Sequence, residues 1–171
     1  VGGAIVMNAG CFGSETKDVL HSTTVMKNNG KIEIMKSDDL KLSYRKSNLD
    51  NEIVLNASFN IEYGNKETIR EKLITIKKKR EGTQPIKTKT GGSSFKNPIG
   101  RHASELIEMA GCKGLKVGDA VVSKIHANFL INTSNATAEE IEHLGKLIIE
   151  KVYDKFQILL EWEIKIVGEI Y

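Results

Sequence analysis

Ile53-Val-Leu-Asn-Ala-Ser-Phe-Asn-Ile-Glu-Tyr63 is followed, after Gly64, by Asn65-Lys-Glu-Thr-Ile-Arg-Glu-Lys-Leu-Ile-Thr-Ile-Lys-Lys-Lys-Arg80, and the apolar period changes between the two. In the first segment Ile53, Leu55, Ala57, Phe59, Ile61 and Tyr63 alternate with Asn56, Ser58, Asn60 and Glu62. Period two over that span predicts a half-buried strand with the odd positions toward a core. In the second, Ile69, Leu73 and Ile76 form a narrow stripe at helical spacing amid Lys and Glu, which predicts a helix ending before Gly82 and Pro85. Lys77-Lys-Lys-Arg80 closes that helix, where cations meet the negative end of its dipole. Without interleaved aromatics the run reads as a solvated helix end, not a nucleic-acid patch.

The same reading extends in both directions. Asp18 to Met26 and Lys31 to Lys36 flank Asn28-Asn29-Gly30, a turn that supplies positive φ, and predict a hairpin. Beyond a loop-rich bridge from Gly82 to Gly100, Ala103 to Ala110 reads as a short helix stopped by Gly111. Ala120 to Ser123 and Phe129 to Asn132 are candidate strands. Thr137-Ala-Glu-Glu140 has capping-box spacing, and Ile141, Leu144, Ile148, Val152 and Phe156 continue at steps of three and four. Ile158 to Val167 returns to period two, with Trp162 on the apolar face and Glu161, Glu163 and Lys165 on the other. Strands and helices that alternate without strict βαβ regularity, joined partly by hairpins, predict an α+β fold. A domain boundary is expected near the bridge, giving 1–85 and 86–171.

Composition restricts the class of protein. In 171 residues, 40% are apolar and 27% charged, which is ordinary globular usage, and the net charge of +3 is scattered. Cys11 and Cys112 stand far apart with no Cys-x-x-Cys, so neither a disulfide framework nor a zinc site is indicated, and a reducing cytoplasm fits. No apolar run approaches the roughly 18 residues that span a bilayer. Nucleic acid and membrane are therefore not expected partners, no metal is expected, and a monomer is the default.

Gly91-Gly-Ser-Ser-Phe-Lys-Asn-Pro98 has the makeup of a ligand loop. Glycines let main chain approach a ligand, while Ser93, Ser94, Lys96 and Asn97 offer donors to phosphate or carboxylate oxygens. It is not a Walker A loop, and no His-Asp partner set accompanies the serines. Taken alone it would be an ordinary turn.

Three further stretches stand with it: Val1-Gly-Gly-Ala-Ile-Val-Met-Asn8-Ala-Gly10-Cys-Phe-Gly13, Tyr44-Arg-Lys-Ser47 and Leu160-Glu-Trp-Glu-Ile-Lys-Ile-Val-Gly168. In this order, with Gln84-Pro85 and Ser123-Lys-Ile-His-Ala-Asn-Phe-Leu-Ile-Asn132, they resemble the UDP-N-acetylenolpyruvoylglucosamine reductases over essentially the whole chain. The short distance from Arg45 to Ser93 is similar to that of the shorter, type II form. The family's glycine-rich segment normally lies well inside the protein, whereas this chain opens within it. A C-terminal fragment is therefore expected, inactive by itself and weak in holding FAD.

The resemblance implies an NADPH-dependent, FAD-mediated reduction of UDP-N-acetylglucosamine enolpyruvate to UDP-N-acetylmuramate in peptidoglycan synthesis, hence in cell shape and division. FAD would be the cofactor and NADPH the co-substrate. Reduced flavin passes hydride to the enolpyruvyl C3, and the loop serine, here Ser93, protonates C2. The Tyr-Arg-x-Ser motif puts the catalytic arginine at Arg45; its guanidinium fork suits a developing dianionic carboxylate better than lysine would. Glu163 would sit near the same carboxylate. Gly2, Gly3, Asn8, Ala9 and Gly10 resemble the segment whose backbone lies against the flavin. Lys96 and Asn97 look like diphosphate contacts and Asn128 like a further substrate contact, while His126 reads as a core or hydrogen-bonding histidine. Thr83 stands where the family carries a basic residue before Gln84-Pro85, which removes one expected contact. The competing readings are another flavin oxidoreductase of the same broad fold and a UDP-sugar-binding module; the module would need neither Arg45 nor Glu163.

Overall fold

A computed structural model of the chain describes residues 1–49 and 51–168. The architecture is α+β, in two compact units, Val1–Asn65 and Lys66–Tyr171.

The first unit runs through α1 (Gly2–Val6), β1 (Gly10–Cys11), β2 (Ser14–Glu15), β3 (Leu20–Met26), β4 (Ile32–Lys36) and β5 (Ile53–Phe59). The hairpin forms as the sequence predicts: β3 and β4 pair antiparallel from Met26 opposite Ile32 to Ser22 opposite Lys36. Its turn closes with the Lys27 amide donating to the Lys31 carbonyl at 2.8 Å, and Gly30 takes φ +79°. A residue with a Cβ is strained in that left-handed region. β5 pairs with the other side of β3, giving the order β4-β3-β5.

β5 corrects the reading of its own sequence. It ends at Phe59 and not Tyr63, and Thr24 pairs with Asn56 while Val25 pairs with Val54, so Leu55 is the extra residue of a bulge. Thr23 Oγ1 donates to the Asn56 carbonyl there at 2.7 Å. The bulge turns Val54 and Ala57 toward Ile5, Leu20, Val25, Leu40 and Leu49, and leaves Ile53, Leu55 and Phe59 exposed. Before the bulge the even-numbered Val54 faces the core, and after it the odd-numbered Ala57 does, so the inward parity changes along the strand.

The second unit contains α2 (Lys66–Thr83), β6 (Lys89–Ser93), α3 (Ala103–Met109), β7 (Lys116–Val117), β8 (Ala120–Val122), β9 (Phe129–Asn132) and α4 (Ala138–Phe156). Its sheet has the order β6-β9-β8-β7 with every pair antiparallel. α2 passes through Gly82, where it was expected to stop earlier. It ends just before Gln84, whose helical conformation Pro85 disfavours. None of its described residues is buried.

α4 carries the expected cap: Thr137 Oγ1 accepts from the Glu140 amide and Glu140 Oε2 accepts from the Thr137 amide, both at 3.1 Å. The helix lays Leu144, Ile148 and Val152 into a core with Leu106 and Ile107 of α3, Val122, Leu130, Phe95 and Leu160. Burying such aliphatic side chains stabilises the fold by about 1.5–3 kcal/mol each.

Two further expectations fail in this unit. The bridge from Gly82 to Gly100 contains β6, and the run from Ile158 to Val167 forms no regular strand. Its alternation survives as packing, with Leu160 buried and Trp162 and Ile164 half-buried. Among the described residues its strand pairing consists of one bridge, Phe95 with Trp162, flanked by two 2.8 Å bonds, Lys96 N–H to Glu161 O and Glu163 N–H to Ser94 O. Pro98, with no amide to donate, ends the pairing on the side of Leu159.

Trp162 explains a glycine in the middle of α4. A Cβ at Gly145 would lie 1.9 Å from Trp162 Cη2 and 2.4 Å from Cζ2. Gly145→Ala should therefore destabilise the protein by about 1–3 kcal/mol through overpacking, although alanine gains about 1 kcal/mol of helix propensity over glycine. A denaturant midpoint that stayed put or rose would show that the indole moves aside freely.

Candidate active site

The ligand loop starts as an interruption of the β6–β9 ladder. Thr90 pairs with Ile131 and Ser93 with Phe129, and Gly91 and Gly92 lie within the register shift between them. Gly92 holds φ +90°, a conformation open in practice to glycine alone. The two serines then part company. Ser94 is buried, while Ser93 is half-buried and retains access to solvent.

Asn128 meets this segment from β9's side. Its carbonyl accepts from the Ser94 amide at 2.8 Å, its Oδ1 accepts from the Phe95 amide at 2.9 Å and its Nδ2 donates to the Phe95 carbonyl at 2.8 Å. From the opposite side the Glu163 amide donates to the Ser94 carbonyl at 2.8 Å. Both main-chain groups of Ser94 are thereby used, and Ser93 and Glu163 are carried on adjoining strands of chain. The Phe95 ring, centred 4.6 Å from that of Trp162, locks the two together. Lys96 Nζ lies 3.2 Å from the exposed Glu161 carboxylate, a pairing of small worth that a ligand phosphate could displace. Asn97 Oδ1 accepts from the Ala103 amide at 3.0 Å and so helps to cap α3. His126 is a structural histidine: its Nδ1 accepts from the Asn128 amide at 3.3 Å, and burial holds its imidazole below the ordinary value.

Arg45, in the first unit, sits in a tight turn closed by Ser43 N–H to Lys46 O at 3.0 Å and Lys46 N–H to Ser43 O at 3.1 Å. Its φ of +53° is left-handed, a conformation costing a non-glycine residue about 1–2 kcal/mol. The guanidinium lies 5.0 Å from the Tyr44 ring centre, and Nη2 approaches the Gly10 carbonyl at 3.4 Å. Arginine and glycine segment thus adjoin.

In that segment Gly2 and Gly3 begin α1, and Asn8 is buried with φ +40°. Its Nδ2 donates to Glu15 Oε2 at 3.0 Å and to the Ser43 carbonyl at 3.2 Å, while its Oδ1 accepts from the Lys17 amide at 2.9 Å. Lys17, and after it the Asn8 amide, hold the Glu15 carboxyl below the usual range. Gly10 has no room for a side chain, since a Cβ would lie 2.7 Å from Glu15 Cγ and 2.9 Å from the Ser14 carbonyl oxygen. Ala9 is exposed beside it.

Sequence reasoning missed the Asn128 clamp and the seating of Trp162 on Gly145. A glycine inside an otherwise strong helical pattern was the available signal for the second. The clamp left none, because its partners lie 33 residues apart.

Residues 84–167 match the family model for the C-terminal domain of UDP-N-acetylenolpyruvoylglucosamine reductase. The part of the chain carrying Ser93, Asn128 and Glu163 is therefore a domain of the reductase class. A UDP-N-acetylenolpyruvoylglucosamine reductase from Bradyrhizobium sp. (strain ORS 278) is 46% identical over 98% of this chain and 55% of its own length. One from Novosphingobium aromaticivorans is 47% identical over 98% of this chain and 57% of its own length. The crystal structure of UDP-N-acetylenolpyruvylglucosamine reductase (MurB) from Thermus caldophilus superposes with a TM-score of 0.85 at 36% identity, covering 96% of this chain and 59% of that one. The chain belongs to the UDP-N-acetylenolpyruvoylglucosamine reductase family and spans somewhat over half the length of the curated relatives it matches.

Proposed function

We propose that this chain carries the proton-donating and carboxylate-binding residues of an NADPH-dependent, FAD-containing reductase. That enzyme would convert UDP-N-acetylglucosamine enolpyruvate to UDP-N-acetylmuramate in peptidoglycan synthesis. The observation that carries the reading is the junction at Ser94, which presents an accessible Ser93 next to Glu163 in a chain of this family. A neutral serine is a poor acid toward ordinary oxygens. It becomes an effective one toward a carbanion such as the aci-carboxylate left when hydride reaches C3 of the enolpyruvyl group, and the proton then goes to C2. Arg45 would stabilise the second negative charge on that carboxylate, and Glu163 would share its surroundings. Lys96 and Asn97 would take the diphosphate.

Residues 1–85 would belong to the flavin side and 86–171 to the substrate side. Gly2, Gly3, Asn8, Ala9 and Gly10 fit the face of a flavin ring and not its phosphates: they present main chain and small side chains, and no cation lies among them. Bound flavin would supply the hydride, with NADPH as its source. The reaction would take place in the cytoplasm; among the described residues no helix is long and apolar enough to cross a membrane.

The full-length protein containing this chain, loaded with FAD, should oxidise NADPH only slowly until UDP-N-acetylglucosamine enolpyruvate is added. Each NADPH consumed should then yield one product heavier by two hydrogens in the mass spectrum. NADPH oxidation without that product would leave another flavin oxidoreductase. Sugar binding with no turnover would leave a UDP-sugar-binding module.

A further inference from the structure

We infer that Asn128 is a positioning residue that fixes Ser93 in line for proton donation, and that it does not touch the substrate; the inference rests on the assignment of Ser93 as the proton donor. Asn128 is 3% exposed, and both ends of its amide bind the main chain of Phe95, while its own carbonyl binds the Ser94 amide. One residue thus acts as a short β-partner for two consecutive peptides. It does so just where the β6 ladder has been broken by Gly91 and Gly92, the most conformationally free pair in the loop. Ser93 lies between the glycines that loosen the chain and the clamp that fixes it again. The clamp is itself held from behind: Ser123 Oγ accepts from the amides of Ile125 and His126 at 3.1 and 3.2 Å, and His126 Nδ1 accepts from the Asn128 amide. A substrate contact by this amide would have to break one of its buried bonds to Phe95 and leave a peptide group unpaired.

Asn128→Asp keeps the shape and the acceptor but puts a carboxylate oxygen against the Phe95 carbonyl where Nδ2 donated. In the full-length, FAD-loaded enzyme it should leave NADPH reduction of the flavin unchanged and slow product formation by about 100-fold, the scale of a misplaced reacting group. KM for UDP-N-acetylglucosamine enolpyruvate should move by less than about threefold. In a Ser93→Ala background the same substitution should cost less than about twofold, because residues acting as one unit are not additive. A raised KM with kcat retained would make Asn128 a substrate contact and overturn the proposal. Full additivity with Ser93→Ala would overturn it alone, whereas an inert Ser93→Ala would overturn it together with the assignment of Ser93. Amide exchange in the wild-type enzyme checks the clamp even if the variant does not fold. The Phe95 amide should exchange as slowly as that of Leu130 in β9, and rapid exchange at Phe95 would overturn the clamp.

Discussion

Ser93→Ala, in the full-length enzyme with FAD bound, should collapse product formation while NADPH still reduces the flavin at close to its normal rate. The two half-reactions separate because the first does not involve the enolpyruvyl group and the second ends with a proton placed on carbon. Loss of a positioned general acid removes a contribution on the order of 10²–10⁴-fold, of which water restores only part. Ser94→Ala is the control. Ser94 is buried and serves the site through its peptide groups, which bond Asn128 and Glu163 and which alanine retains. Its loss should therefore be far smaller. Stopped-flow absorbance of the flavin resolves each half-reaction. Equal slowing of both in Ser93→Ala, or a larger loss in Ser94→Ala, would remove Ser93 from the role.

What the sequence disclosed about this fold was what neighbours along the chain decide. The Thr137–Glu140 box and the stripe from Ile141 to Phe156 are local, and α4 runs from Ala138 to Phe156 with that box formed. The turn at Asn28-Asn29-Gly30 is equally local, and the hairpin on either side of it formed in register. β5 was misread because its period-two pattern is real but a bulge at Leu55, set by pairing with β3, exchanges the buried and exposed faces. β6 was missed because Gly91 and Gly92 look like loop, and only the partner strand β9 makes the residues around them a ladder. The segment from Ile158 to Val167 shows the converse, a strand-like pattern with one bridge, Phe95 to Trp162.

For the site, Ser93, Arg45 and Glu163 were proposed from ordered motifs, not from their spacing. The motif picked Ser93, the serine directly after the glycines, over Ser94, and Ser94 is the buried one of the two. The residues that hold the loop, Asn128, Trp162 and Gly145, act across gaps of many residues. Single-sequence patterns carry no trace of such contacts.

Arg45→Lys should lower kcat by about 10²–10³-fold, the usual cost of losing one preorganised donor to a developing oxyanion, while binding of the UDP-sugar weakens far less. The charge is kept, so any loss reports on geometry. Guanidinium offers two parallel donors to a carboxylate, and the demand for both is greatest as the second negative charge develops. Arg45 is also the less movable of the two side chains here. Its guanidinium lies over the Tyr44 ring, its Nη2 faces the Gly10 carbonyl, and its backbone holds a left-handed φ that a non-glycine residue adopts only when its surroundings impose it. A lysine ammonium on four freely rotating bonds loses the stacking and the fork together, and water can follow it into the site. The effect should fall on the step after hydride transfer begins, so NADPH reduction of the flavin again serves as the internal reference. Steady-state kinetics with the enolpyruvyl substrate decide the matter. A rise in KM with unchanged kcat would make Arg45 a ground-state binding residue, since an interaction equally strong in substrate and transition state raises affinity without raising turnover.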